Sequence, residues 1–280
     1  MAIILALISS ALFGAGDFLG GVASRRTHVL VVVGASHVVG LFLILLVTPF
    51  MADAITLRDL GIGAIAGVAG VVGITFLYHS LSRGPMAVVA PIAAVSNAAV
   101  PALWGIYFGD RLSAPQVVGV VLGLIAILLV SRVSGEEASA GATTPGLIGV
   151  ALLSGVGFGG FFICMDLTAE ATTPWPLVSA RVVSAGIALI LLARIGRSPI
   201  PHRDEARGAI VGAGVLDMTA NLAILLAVHH GMLSLVGVLG SLYPASTVLL
   251  ARYVLQERMA RTQVVGLVVA LAAIGAIVGA

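Results

Sequence analysis

The sequence predicts an all-α integral membrane protein with ten transmembrane helices, arranged as two inverted five-helix repeats. Three observations predict this fold class. The chain of 280 residues is 60% hydrophobic, its mean hydropathy is +1.17 and only 9% of its residues are charged. Its apolar stretches are about 20 residues long, which is the length that crosses a bilayer as a helix. The second half of the sequence also repeats the first at a fixed offset.

The composition excludes several classes of protein. An ordinary soluble domain carries about 25% charged residues, so this chain lacks the charge to cover a soluble surface. A soluble enzyme, a nucleic-acid-binding protein and a disordered chain are therefore excluded. The 35 glycines suit close packing between helices in lipid. The single cysteine, Cys164, makes no intrachain disulfide and no multi-cysteine metal site, and we expect neither a metal nor a cofactor.

Short polar connections separate the predicted spans. The first span begins without a basic segment and its apolar run is long, so we expect a membrane helix there rather than a cleavable signal. The spans are predicted at residues 2–23, 29–50, 60–81, 86–108, 114–133, 146–166, 175–193, 208–228, 231–255 and 262–279. The connections, in order, read SRRTH, MADAITLRD, SRGP, GDRL, SGEEASAGATTPG, TAEATTP, RIGRSPIPHRDEAR, HHG and QERMAR.

The sequence repeats itself at an offset of 147 residues. Residues 84–130 and 231–277 share 13 identities in 47 positions, among them Arg111 with Arg258. A weaker match at an offset of 145 links the first and sixth spans. It pairs Leu7, Ser9, Phe13 and Gly14 with Leu152, Ser154, Phe158 and Gly159.

This duplication predicts two units of five helices each. We place the first at residues 1–133, a linker at 134–145 and the second at 146–280. Because five is an odd number, the second unit starts on the opposite side of the membrane, which makes the repeat inverted. Inverted repeats build many secondary transporters, with the substrate site near the membrane midplane between the repeats.

Two pairs of segments carry a resemblance to a known family. The first half contains PIAAVSNAAVPALWGIYFGDRL followed by QVVGVVLGLIAILLVS, and the second contains GSLYPASTVLLARYVLQERM followed by QVVGLVVALAAIGAIVGA. Each pair has a proline-containing helix, an acidic residue just past its end and a glycine-bearing closing helix. This pattern resembles the drug/metabolite transporter superfamily, specifically its ten-span transporters with two EamA-type domains. The opening ALFGAGDFLGGVASRR is similar to the first helix of one bacterial branch.

The resemblance covers essentially the whole chain and sets functional expectations. It implies movement of small metabolites, often export, driven by ion or solute gradients. The chain departs from the pattern at Asp110, where a glutamate is usual, and this change keeps the carboxylate. The motifs are specific for the superfamily and carry little information about the substrate.

The first two spans contain ionisable residues, which are expensive in a bilayer and usually mark a pathway. Asp17 lies about six residues before the end of the first span, and His37 lies about eight residues into the second. In antiparallel helices these positions have similar depth, so the two side chains are expected to meet. They would act as a proton-coupling or substrate-contact pair, or alternatively as a hydrogen bond between two helices.

The second half contains a deeper group of polar residues. Asp217 is almost central in the eighth span, and Asn221 lies one turn later on the same face. Arg181 lies about six residues into the seventh span. Arg181 and Asp217 would neutralise each other as a structural pair, or a free Arg181 would suit a substrate that carries a carboxylate.

The fourth and ninth spans are expected to line the pocket because both contain proline. Proline frees backbone carbonyls, and broken helices often line a cavity in transporters. Candidate contacts on these helices are Asn97, Trp104 and Tyr243. Trp104 would stack on a flat substrate or serve as an interfacial anchor. The prolines would otherwise only kink packed helices.

The sequence therefore predicts a transporter of small metabolites that works by alternating access, exports its substrate and couples to protons. The alternatives are a non-transporting scaffold or receptor subunit, and a membrane-embedded enzyme, for which the loops offer no cluster of catalytic groups. The expected partners are a small-molecule substrate, the lipid bilayer and protons, with no nucleic acid. We expect a multi-pass protein of the bacterial inner membrane that is a monomer or a homodimer.

Two arguments disagree on the orientation of this chain. Odd-numbered connections hold ten arginines and even-numbered ones hold two, which would place both termini outside the cytoplasm. The resemblance instead implies cytoplasmic termini. Only a shared side for the two termini follows from an even number of spans.

Overall fold

A computed structural model of the chain describes residues 1–84, 86–130, 145–201, 207–254 and 261–278. The predicted linker at 134–145 lies outside these residues except for its last position. The described residues form α-helices and a short 3₁₀ helix at Glu170–Thr172. The helices are α1 (Ala2–Ser24), α2 (Val29–Met51), α3 (Leu57–Arg83), α4 (Met86–Phe108), α5 (Ala114–Val130), α6 (Pro145–Asp166), α7 (Trp175–Arg194), α8 (Arg207–His229), α9 (Leu233–Gly240), α10 (Tyr243–Val254) and α11 (Arg261–Val278).

The prediction of an all-helical integral membrane protein is confirmed within the described residues. Six of these helices, α1, α2, α3, α6, α7 and α8, are long and apolar enough to cross a membrane. Four further apolar helical stretches are 10–17 residues long. They are Ile92–Phe108, Ala114–Leu129, Leu233–Thr247, which covers α9 and the start of α10, and Val264–Ile277. The total of ten membrane-spanning helices stays a prediction.

Side chains in the connections fix where several helices begin. The Thr56 side chain accepts a hydrogen bond from the amide of Asp59 at 3.2 Å and caps α3. At α5, Ser113 and Gln116 bond each other's amides reciprocally, at 2.9 and 3.4 Å. Both arrangements satisfy amide groups that have no partner within the first helical turn. The polar connections therefore set the helix boundaries that hydropathy alone leaves approximate.

The span predicted at 231–255 is wrong as a single helix. The chain forms α9 and α10 there, separated at Ser241 and Leu242. Pro244 has no amide hydrogen and lies in the first turn of α10, where a proline is tolerated but cannot continue an earlier helix. By contrast, α4 stays continuous through Pro91 and Pro101, so only one of the two proline-containing spans is broken.

Helices of the first half pack mainly on helices of the second, in pairs that correspond. Helix α1 packs most extensively on α8. Helix α6 packs most extensively on α3 and almost as much on α4. The Ser9 hydroxyl donates to the carbonyl of Ala220 at 2.8 Å, and the Ser154 hydroxyl donates to that of Gly73 at 2.8 Å. Ser154 lies 145 residues after Ser9, and Ala220 lies 147 residues after Gly73. The same contact therefore occurs twice, with the two halves exchanged.

These pairings divide most of the molecule into two bundles that each draw on both halves. Helix α1 packs on α8, α9 and α10, and we call this group the first bundle; α9 also packs on α4, more extensively than on α1. Helix α6 packs on α3 and α4, and α3 also packs on α7; we call α3, α4, α6 and α7 the second bundle. Helix α2 contacts both α7 and α8, while α5 packs on α11. The bundles are therefore not the two sequence halves but an interleaving of them.

Gly63 permits the close contact between α3 and α7. A Cβ atom at Gly63 would meet the carbonyl oxygen of Pro176 and the hydroxyl of Ser179, and would lie 2.8 Å from the Pro176 Cα. We expect Gly63→Ala to destabilise the protein by about 1–3 kcal/mol, because backbone atoms cannot move aside as a flexible side chain can. The measurement is the midpoint of thermal unfolding in detergent.

Gly61 in the same helix is the matched control. A Cβ atom at Gly61 has no neighbour within 4 Å, so Gly61→Ala is expected to keep or raise the unfolding midpoint. Equal destabilisation by both substitutions would contradict the close contact between α3 and α7.

Candidate functional site

Two adjoining cavities lie between the two bundles. Counted together with the open solvent that they adjoin, their volumes are ≈ 430 Å³ and ≈ 280 Å³. The larger is lined by Phe13, His37, Gly67, Gly70, Ile74, Phe158, Phe161, Phe162, Leu177, Ala180, Arg181, Ser184, Asp217 and Asn221. The smaller is lined by Phe13, Asp17, Asn97, Phe158, Phe162, Asp217 and Tyr243. Four residues are common to both lists, so the cavities form one continuous candidate site.

An ion pair occupies the polar side of the larger cavity. Nη2 of Arg181 on α7 contacts Oδ2 of Asp217 on α8, and both side chains are mostly buried, at 8% and 17% exposure. Asn221 donates from Nδ2 to the Asp217 backbone carbonyl at 2.7 Å and to Oδ1 at 3.2 Å. Nε of Arg181 also lies 3.4 Å from the sulfur of Met218. Of the two expected roles, the structure forms the neutralised pair.

His37 bonds to the equivalent position of the other half rather than to Asp17. Nδ1 of His37 on α2 lies 2.9 Å from Oγ of Ser184 on α7, and Ser184 is 147 residues later in the chain. This separation equals the repeat offset. The expected contact between Asp17 and His37 is therefore wrong: both side chains are buried, but His37 bonds to Ser184 and the two residues line different cavities. Helical depth alone did not specify which neighbour His37 faces.

The smaller cavity contains polar side chains that have no partner. Asp17 on α1 is 7% exposed, and its carboxylate makes no hydrogen bond or ion pair with the described part of the chain. Asn97 on α4 is 3% exposed, and its Oδ1 atom is likewise without a hydrogen bond. Tyr243, at the start of α10, donates its hydroxyl to the carbonyl of Ala90 at 3.3 Å. The structure thus brings these three predicted site residues together.

Phenylalanine rings form the apolar side of the site, which sequence reasoning did not assign. Phe13 and Phe162 stack with ring centroids 6.3 Å apart, and Phe161 meets Phe162 edge to face at 6.4 Å. Phe158 lines both cavities. Phe13 and Phe158 are paired by the 145-residue repeat, which was the only sequence signal for them. The site therefore has one polar side and one aromatic side.

Trp104 lies outside this central site. It packs on Phe108 with ring centroids 4.2 Å apart and lines a separate cavity of ≈ 490 Å³ beside Asp110 and Asp166. This cavity lies at the end of the bundle where α4 and α6 end and α9 begins. Its place on a proline-containing helix predicted that Trp104 would line the central pocket. In the structure it lines the separate cavity at the end of the helices instead.

Polar contacts join the two bundles at that same end. Oδ2 of Asp110, just after α4, accepts a hydrogen bond from the amide of Ser234 in α9 at 2.9 Å. His229, at the end of α8, lies 3.2 Å from the hydroxyl of Thr168 and 3.3 Å from that of Thr173. Sequence reasoning missed these contacts because their partners are distant in the chain. Among the residues that the structure describes, no group of three or more His, Cys, Asp or Glu could hold a metal ion.

Comparison with known proteins gives a family and a fold. The EamA-like transporter family matches residues 1–132 and 145–279. The protein MJ1333.1 of Methanocaldococcus jannaschii is 29% identical over 134 residues, which make up 46% of this chain and 96% of that protein. That relative therefore corresponds to about half of this chain. A solved crystal structure, described only as that of a protein, has a TM-score of 0.71 at 13% identity, with 98% of this chain and 95% of that chain covered. This similarity shows the fold alone.

The Arg181–Asp217 pair generates a stability prediction. Arg181→Met removes one partner and leaves the Asp217 carboxylate uncompensated, so we expect a loss of about 3–5 kcal/mol. Combining Arg181→Met with Asp217→Leu removes both charges and is expected to recover at least half of that loss. The measurement is thermal unfolding of the purified variants in detergent.

Arg25→Met serves as the matched control because Arg25 is exposed at the end of α1. We expect its unfolding midpoint to stay near that of the unaltered protein. A double variant that is less stable than Arg181→Met alone would contradict a pair whose main role is mutual neutralisation.

Proposed function

The chain belongs to the EamA-like transporter family, and we propose that it exports small metabolites as a secondary active transporter coupled to protons. The observation that carries this proposal is the cavity between the two bundles, which is lined by the buried carboxylate of Asp17 and the mostly buried carboxylate of Asp217. A transporter site near the midplane, enclosed by helices from both repeats, is the arrangement that alternating access needs. Family membership makes the chain a membrane transporter; the direction and the coupling are the proposed parts.

We further propose ten membrane spans in two inverted repeats, at residues 1–133 and 146–280 with a linker between them. The exchanged hydrogen bonds of Ser9 and Ser154 support this arrangement, because they repeat one contact with the halves swapped. The bond between His37 and Ser184 supports a pseudo-twofold axis that passes between α2 and α7. A relative that corresponds to about half of the chain also fits a duplicated unit.

Alternating access is proposed to move the first bundle against the second. The contacts of Asp110 with Ser234, and of His229 with Thr168, then hold one end closed. Opening that end requires these hydrogen bonds to break while the opposite end closes. Both bundles lie within one chain, so a monomer suffices for this cycle. We expect the protein in the bacterial inner membrane.

Proton coupling is assigned to Asp17 and Asp217. Both carboxylates line the smaller cavity, on α1 and α8. The charged or titratable groups that face them are Arg181 on α7, Tyr78 on α3 and Tyr243 on α10. A carboxylate enclosed by apolar helices is a typical element of an intramembrane proton relay. Protonation would change the charge of the site at the point where substrate binds.

Proteoliposomes with a pH-sensitive dye inside test this function directly. A concentration gradient of each compound from a panel of amino acids, nucleosides and cationic drugs is imposed across the vesicle membrane, and proton movement is recorded with the dye. We expect one substrate class to move protons. Asp17→Asn and Asp217→Asn are expected to lower that signal at least about tenfold, because the asparagine amide cannot carry the proton. Asp53→Asn is the control, since Asp53 is an exposed carboxylate in the connection before α3.

Each other outcome has a distinct consequence. Substrate movement without protons would retain transport and overturn the coupling. Movement of no substrate in folded, oriented vesicles would favour the non-transporting scaffold. Full activity of both asparagine variants would remove these carboxylates from the coupling mechanism.

Cross-linking tests the motion of the bundles. Cysteines at positions 110 and 234, in a Cys164→Ser background, lie on opposite bundles. A short cleavable thiol cross-linker is expected to bring transport to background, and a reductant is expected to restore it, because closure at this end then cannot be undone.

Cysteines at positions 54 and 171 provide the matched control. The amide of Ala54 donates to the carbonyl of Ala171 at 2.8 Å, and this contact joins the start of α3 to the connection after α6. Both segments belong to the second bundle. Cross-linking this pair is expected to leave transport intact; full transport by the cross-linked 110–234 pair would contradict the proposed motion.

A further inference from the structure

The smaller cavity contains acceptors that lack donors. Asn97 Oδ1 is more than nine-tenths buried and has no hydrogen-bond partner in the described part of the chain. The Asp17 carboxylate is equally buried, and its one charged neighbour among the described residues is another carboxylate, Asp217. Buried polar groups are normally hydrogen-bonded, and an unpaired one costs free energy. The two therefore mark a place where a donor from outside the protein fits.

The charges around the cavity favour a positively charged donor. Asp17 and Asp217 both line it, while Arg181 lines the larger cavity and is engaged with Asp217. With one guanidinium and two carboxylates in the site, Asp17 is the carboxylate that has no neutralising cation. A cationic group beside Asp17 would provide the neutralising partner that α1 lacks.

The apolar lining defines the rest of the ligand. Phe13, Phe158 and Phe162 enclose the same cavity as Asp17 and Asn97. Aromatic ring faces attract ammonium groups and also pack on hydrocarbon or flat rings. The cavity therefore pairs a small acceptor-lined end with an aromatic surface.

We propose that this cavity binds the protonated amine of an organic amine that carries an apolar body. The ammonium group donates hydrogen bonds to Asp17 and to Oδ1 of Asn97, and the apolar body packs on the phenylalanine rings. Arg181 stays bound to Asp217 and takes no part in recognising the ligand. The proposal rests on the proposed transport function, and it names the substrate class of that same site.

Binding of three probes of equal size to the purified full-length protein tests the inference. The probes are phenethylamine, the neutral 2-phenylethanol and the anionic phenylacetate, measured by calorimetry and by the thermal unfolding midpoint in lipid nanodiscs. We expect the amine to bind at least roughly tenfold more tightly than either analogue, since a hydrogen bond to a buried charge supplies this much discrimination. This comparison needs no substitution and so does not depend on variant folding.

Substitutions then locate the binding group. Asp17→Asn is expected to weaken amine binding roughly ten- to hundredfold, and Asn97→Leu, which removes Oδ1, to weaken it less. Asp53→Asn is expected to bind as the unaltered protein does. Equal affinity for the amine and the alcohol, tighter binding of the anion, or unchanged affinity in a folded Asp17→Asn protein would each overturn the inference.

The binding assay tests the amine site and the transport assay tests the proposed function, so either claim can be contradicted while the other holds. Amine binding at Asp17 without movement of any substrate in proteoliposomes would leave this site standing and contradict the transport function. Transport of a neutral or anionic substrate by a protein that does not discriminate among the three probes would support the transporter and overturn the amine site.

Discussion

The ion pair between Arg181 and Asp217 is the interaction on which the rest of the site depends. It joins α7, which belongs to the second bundle, to α8, which belongs to the first. A charged group in a bilayer needs a partner, and each of these residues is the other's partner. Asn221 completes the coordination of the carboxylate from the next turn of α8. Because Arg181 is engaged in this way, the remaining carboxylate, Asp17, has no cation of its own within the described structure.

Some contacts of the two halves correspond, but the residues of the site do not. Position 184 is equivalent to position 37, and these two residues bond to each other. The positions equivalent to Arg181 and Asp217 are Gly34 and Gly70, which carry no charge. At the 145-residue offset, Asp17 corresponds to Phe162. Polar residues of one half therefore correspond to glycine and aromatic residues of the other, and the cavity has a polar and an apolar side.

Sequence reasoning placed the helices well because hydropathy measures the length of each apolar segment directly. The span predicted at 60–81 is observed at Leu57–Arg83, and the others match as closely except for the broken ninth. The contacts between side chains were harder to predict from the sequence, since they depend on which helices pack together. Depth along α1 and α2 suggested contact between Asp17 and His37, but helix rotation directs them to different cavities. Asp110 looked like a helix-end charge, and only tertiary packing shows that its carboxylate bonds to Ser234.

An unpaired carboxylate at Asp17 is costly for stability but useful for a transport cycle. A site whose polar groups all bond to one another, as Arg181, Asp217 and Asn221 do, has little to offer a ligand. A group that lacks a partner gains more from binding a ligand or a proton than a satisfied group does. Binding removes the desolvation penalty of the unpaired group, and no existing hydrogen bond has to be broken first. The satisfied pair and the unsatisfied carboxylate lie side by side in this site. The pair joins α7 to α8, and in the proposed transport cycle Asp17 is the group through which a bound species would shift the balance between conformations.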